Sequence, residues 1–237
     1  MNLRFLITLL FANIAFTQTK EYREYHDNQQ LKTEGQTDES RNKIGEWKEY
    51  HENGQLCLIE NYENGKRYGE RKRYHDNEKL WLIENYVDGE LHGEWKYYNY
   101  IGELRATRNY MNGEKHGEWK TYHKNGQLEE IENYMNGEPH GEWKYYSYKG
   151  QLMIVGSYVD GKKQGEWKEY YRNGQLESIA TYASGERHGE QKYYYNNGQL
   201  MIIENYKNGE QHGEQKYYYD NGQLKTIINY ENGKIAN

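Results

Sequence analysis

The sequence predicts an all-β protein: an elongated, single-layer antiparallel β-meander made of tandem repeats. Three observations carry that prediction. Glu-containing Gly motifs recur every 24 residues, each period holds two Gly-centred turn signals, and the composition is rich in Tyr and Gly with a single Pro. Of 237 residues, 35% are hydrophobic, and aromatics alone make up 16%. The aliphatic remainder is too small for the thick core of a globular domain of this length. Disorder is excluded by 28 Tyr, 6 Trp and 25 Gly. Strands that bury one residue in two suit such a composition. The net charge of -6 excludes the basic face that capture of nucleic acid or anionic lipid requires.

The first segment, residues 1–17, reads as a signal peptide. Arg4 precedes an apolar run from Phe5, and Ala15 and Thr17 occupy the small-residue positions of a cleavage before Gln18. The run is too short to span a membrane, and no Cys at the junction offers a lipoprotein anchor. A secreted or periplasmic location is therefore expected, or a cytoplasmic one should this segment instead be a buried first element. Cys57, the only cysteine, reads as a small buried hydrophobe, not a reactive thiol, with no internal disulfide partner.

Residues 18–44 form a degenerate first repeat, or N-terminal cap, because Tyr22–Leu31 (YREYHDNQQL) parallels Trp47–Leu56 (WKEYHENGQL). Residues 45–237 hold eight tandem repeats, beginning at Gly45, Gly69, Gly93, Gly117, Gly141, Gly165, Gly189 and Gly213. Each carries an internal turn such as Asn53-Gly54 and a second such as Asn64-Gly65 or Asp88-Gly89, dipeptides that supply positive φ. A three-residue loop at both turns pairs Tyr50 with Leu56 and Trp47 with Ile59. One face then carries the Trp47 and Ile59 series. The other carries Glu46, Lys48, Tyr50, Leu56 and Tyr62, so that the Tyr50 and Tyr62 series share a face. In that register Glu46 faces Glu60, Glu70 faces Glu84, Glu118 faces Glu132 and Glu190 faces Glu204. At about 9.6 Å per repeat, eight repeats make a ribbon about 75 Å long whose open edges invite pairing, including an edge-to-edge homodimer.

The unit G-E-W-K-x-Y-x-x-N-G-Q-L-x-x-I-x-N-Y-x-x-G-x-x-H resembles the MORN-repeat variant found in tandem in many bacterial proteins, over Gly45–Ala236 and, more weakly, Tyr22–Leu31. The resemblance implies an elongated β-meander used as a scaffold or binding surface. It also brings in the YwqK-type antitoxin label carried by some members, and the phospholipid binding linked to MORN repeats elsewhere. Phospholipid is discounted, because each Lys of the Lys48 series follows a Glu two residues earlier on the same face.

No metal, cofactor or catalytic residue is expected. The His92, His116, His140, His188 and His212 row projects in parallel, whereas metal ligands must converge. Opposed glutamates along an open ribbon lack the pocket an enzyme needs. Positions that vary between repeats are the candidates for partner recognition: Tyr97, Tyr145, Tyr193 and Tyr217 on one strand, with Trp81, Arg105, Met153 and Met201 placed opposite that series. A protein partner is expected along this Tyr-rich face. A carbohydrate stacking on Tyr and Trp is the second expectation, and an antitoxin or immunity role the third.

Overall fold

A computed structural model of the chain describes residues 19–236. The signal segment expected over 1–17 lies outside these residues. The described residues form one open, all-antiparallel sheet of 25 strands, several of them two-residue extensions of a neighbour, with no helix. The degenerate copy is a true hairpin, Lys20–Tyr25 with Leu31–Thr37. One repeat shows how the others are made. Lys43–Tyr50 turns into Leu56–Glu63, which turns again through the short strand Lys66–Arg67 into Gly69–Tyr74.

The internal turn is the expected three-residue loop. The Gly54 N–H donates to the His51 carbonyl and the His51 N–H to the Gln55 carbonyl, with Gly54 at φ 83°. The second turn differs from expectation. Glu63 pairs directly with Lys66, leaving a two-residue Asn64-Gly65 turn with both φ positive, at 51° and 76°. This is a type I′ turn, whose twist matches that of the strands it joins. Among the described residues, only the first such connection, at Asp38–Asn42, keeps three residues in its loop.

The register also departs from the sequence reading. Tyr50 pairs with Leu56, but Glu49 pairs with Leu58, so Cys57 is an extra residue in a β-bulge. Beyond the bulge Trp47 meets Glu60, Lys48 meets Ile59 and Glu46 meets Asn61. One slipped residue exchanges the faces of everything that follows. The Ile59 series therefore lies with Lys48, and the Tyr62 series lies with Trp47, on the face opposite Tyr50. The predicted carboxylate pairs are absent, since Glu46, Glu70, Glu118 and Glu190 face Asn61, Asn85, Asn133 and Asn205. The bulge wins because it gathers Trp47, Leu58 and the Tyr62 ring on one side, where Trp47 and Leu58 are buried.

Between repeats the turns stack. The turn glycines donate N–H to the repeat before, Gly65 to the Lys43 carbonyl, Gly89 to Arg67 and Gly137 to Lys115. At the other margin Asn77 donates to the Tyr100 carbonyl and Asn125 to Tyr148. Both margins of the sheet are thus tied from repeat to repeat by directional bonds.

Candidate interaction face

The two faces differ in chemistry. On the face bearing Lys48, the lysine of each of the eight repeats grips the Glu two residues before it at 3.0 Å or less. That is the solvated ion row the sequence suggested, on partly exposed side chains where each pair contributes little stability.

The Trp face holds the buried set. A ladder of rings runs Tyr110, Trp119, Tyr134, Trp143, Tyr158 and Trp167, with successive centroids 5.2, 5.1, 5.9, 4.7 and 5.0 Å apart. These are spacings at which tilted aromatic pairs attract. The indole N–H of Trp119, Trp143 and Trp167 donates to the carbonyl of Asn109, Asn133 and Ser157 in the preceding repeat. In the last two repeats Gln191 and Gln215 replace Trp. Their amides bond both the N–H and the C=O of Thr181 and of Asn205, and both side chains are fully buried. Where Arg71 replaces Trp it bridges Glu60 and Glu84, its Nε lying 3.0 Å from Glu60. Burial alone would raise the Glu60 carboxyl, but hydrogen bonds from Tyr62, Arg67 and Arg71 outweigh it and hold it below the usual range.

A row of cations that sequence reasoning missed lies over the ladder. Lys43 sits 4.2 and 4.8 Å from the rings of Trp47 and Tyr62, Lys115 4.4 and 4.5 Å from Trp119 and Tyr134, and Lys163 4.1 and 5.0 Å from Trp167 and Tyr182. Arg67 and Arg187 cover Tyr86 and Tyr206 in the same way. The signal was in the sequence, as a Lys or Arg two residues before the repeat-opening glycine, but only the true register shows that it meets the rings.

The candidate residues divide. Tyr97, Tyr145, Tyr193 and Tyr217 stand two residues after the Trp position and share its face. They pair with Ala106, Ile154, Ile202 and Thr226, not with the Trp81 series as expected. Trp81, Arg105, Met153 and Met201 are the bulge residues, displaced from direct opposition by the slip. Tyr97 stacks on Trp95 at 6.1 Å, and Tyr145 is 39% exposed. Burial pushes the hydroxyls of Tyr193 and Tyr217 above their ordinary range. Trp81 lies against Arg73 and His75. Arg105 is engaged within the chain, donating to the His123 carbonyl and pairing with Glu103. Two shallow grooves open on this face. One, of about 290 Å³, is lined by Glu130, Trp143, Tyr145, Ile154 and Trp167; the other, of about 530 Å³, by Tyr97, Arg105, Arg108 and Thr121. Burial, then the neighbouring Glu132 and Glu129, raises the Glu130 carboxyl above the usual carboxylate range. Among the described residues no group of three or more His, Cys, Asp or Glu converges as metal ligands would.

The model of the MORN repeat variant matches residues 43–64, 67–88, 115–136, 139–160, 163–184, 187–208 and 211–236. The chain belongs to the MORN-repeat variant family. The MORN repeats continue through residues 89–114, which the family model leaves unmatched but which keep the same strands and register. No curated protein matches the chain. Among solved structures it is similar to the TcdB2-TccC3-Cdc42 crystal structure, at 13% identity over 90% of this chain and 14% of that one, with a TM-score of 0.23. The TcdB2-TccC3-TEV crystal structure gives 14% identity over 85% and 13%, again with a TM-score of 0.23. The Photorhabdus luminescens Tc holotoxin pore with the TccC3-D651A mutation gives 14% over 90% and 13%, also at 0.23. The MORN-repeat chain spans only about a seventh of those chains, and scores this low carry no argument about its fold or role.

Proposed function

We propose that this MORN-repeat chain is a non-enzymatic, exported scaffold that binds a protein partner along its Trp/Tyr face. One observation carries the reading. The Tyr62 series, Tyr in all eight repeats, and the Trp position, Trp in five of them, supply a backing, and on the same face stands a row that varies from repeat to repeat: Glu49, Arg73, Tyr97, Thr121, Tyr145, Glu169, Tyr193 and Tyr217. A constant frame under a variable row supports recognition better than it supports chemistry. Tyr is the side chain that contributes most contact area for the least entropy lost.

The test is affinity capture from the native envelope or medium with wild type and with a variant carrying Ser at Tyr97, Tyr145, Tyr193 and Tyr217. A partner protein recovered by wild type and reduced at least about tenfold by the variant supports the proposal. Equal recovery by both overturns the assignment to this face. A glycan-array hit would replace the protein partner with a carbohydrate, and a toxin-like protein in the captured fraction would narrow the role to an antitoxin or immunity protein. Export is tested separately, by sequencing the mature N-terminus, expected at Gln18.

A further inference from the structure

The cation row over the ladder has a gap. Pro139, the only proline of the chain, stands where Lys43, Lys115 and Lys163 stand in other repeats, and its pyrrolidine ring carries no charge to place over the Trp143 and Tyr158 pair. Five of the six tryptophans have a Lys or Arg over the ring within 5.5 Å, and Trp143 is the exception among the described residues. Trp47, Trp119 and Trp167, each under its own lysine, are buried, whereas Trp143 and Trp95, whose repeats carry Pro139 and Leu91 in the lysine's place, are half-buried.

Among the described residues neither anion beside the gap has an ion pair, although Arg108 also lies over Trp119. Glu132 lies across the sheet from Trp119, at the position where Glu60 gathers Lys43, Arg67 and Arg71, where Glu84 holds Arg71 and where Glu204 holds Arg187. Glu132 has only the Tyr134 hydroxyl, at 3.2 Å, and no salt bridge. Lys115, the counterpart of the Lys43 that reaches Glu60, is instead held over the rings of Trp119 and Tyr134. Glu130 pairs across the sheet with Tyr145, in a place where other repeats carry Leu58, Leu82 or Ile154, and it too has no ion partner. Glu130 lines the groove of about 290 Å³ walled by Trp143, Tyr145 and Trp167, and Glu132 lies two residues farther along the same strand. Lys144, beside the groove, has its ammonium on Glu142 at 2.6 Å.

We infer that this notch, formed by Glu130, Glu132, Trp143, Tyr145 and Tyr158, receives the ammonium of a lysine side chain presented by a partner polypeptide. The chain itself shows the fit. In three of the four other repeats with a Trp and a Tyr at this position, the group over the two rings is a lysine, 4.1 to 5.0 Å from both ring centres; in the fourth it is Leu91, and Arg108 covers Trp95 instead. An ammonium over aromatic faces, desolvated beside carboxylates, gains from both. This deepens the proposed partner binding and rests on it for the identity of the ligand as protein, while the notch is testable without any partner.

The experiment follows the Trp143 indole resonance by NMR during titration with N-acetyl-lysine methylamide and, separately, N-acetyl-norleucine methylamide. The lysine probe is expected to shift Trp143 saturably, with the norleucine probe at least about fivefold weaker. Pro139→Lys fills the notch from within and abolishes the response. Pro139→Leu, which copies Leu91 of an earlier repeat, keeps it and controls for loss of the proline. Equal shifts from both probes, or a full response in Pro139→Lys, would overturn the assignment. If the notch binds lysine but affinity capture finds no protein, the scaffold reading falls and the site stands. If capture succeeds and the probe does not shift Trp143, the site falls alone.

Discussion

At the scale of single residues, the Trp face is organised by exchanges that compensate each other across neighbouring strands. Gly35 and Gly156 precede Trp47 and Trp167, and a Cβ at either glycine would overlap the indole. Gly156→Ala is therefore expected to destabilise by about 1–3 kcal/mol, read from the denaturation midpoint. Arg71 stands between Glu60 and Glu84 with all three side chains buried. Arg71→Ala leaves buried carboxylates short of a partner, and a loss of about 3–5 kcal/mol is expected in the same measurement. The pH dependence has opposite signs at two carboxylates. Glu60, held below its usual value of 4.5, stabilises the fold above that pH, and its contribution is lost as pH falls through the lower folded value. Glu130, held above 4.5, opposes folding once it ionises. Glu130→Gln should thus stabilise the chain at neutral pH, by less than about 1 kcal/mol because the site is partly open, and the gain should vanish below pH 4.5. Denaturation at two pH values checks this, and equal gains at both would contradict it.

At the scale of strands and turns, each internal loop needs a left-handed residue at its third position. Gly54, Gly126 and Gly174 provide it, but Gln29 and Glu78 are held there at φ 66° and 63°. Glu78→Gly should stabilise by up to about 1 kcal/mol, the relief of strain exceeding the entropy that a glycine adds to the unfolded chain. The turns were the legible part of this sequence. The period and the places of the turns follow from the recurring Gly-centred signals, and the hairpin at Tyr22–Leu31 from its likeness to Trp47–Leu56. The faces were not legible, because the bulge at Cys57 carries no turn residue and an unbulged ladder places the same apolar residues almost as plausibly. The signal that would have found it was chemical: Arg71 flanked by Glu60 and Glu84, and glycines placed before Trp47 and Trp167. Those relations make sense only if Trp meets Glu60 and not Ile59. The candidate tyrosines were placed on one row correctly, but the lysines that complete the Trp face depend on the true register and stayed hidden.

For the molecule as a whole, stability is a sum over neighbours rather than the property of one core, as expected of a repeat array. Deleting the 24 residues Gly93–His116 should leave a folded β-sheet protein with a proportionately lower unfolding enthalpy, whereas deleting 23 of them should disrupt pairing beyond the junction. Circular dichroism and calorimetry on the two deletions distinguish the outcomes. The stacked turns, in which Gly65, Gly89 and Gly137 each donate to the repeat before, give this a longer reach. Every period hands the following one an identical template, so an in-frame duplication by slipped replication inserts a ready-made hairpin wherever its boundaries happen to fall. Lineages carrying such a gene should differ from one another in reach, gaining or losing whole periods, far more readily than they tolerate the loss of a single codon.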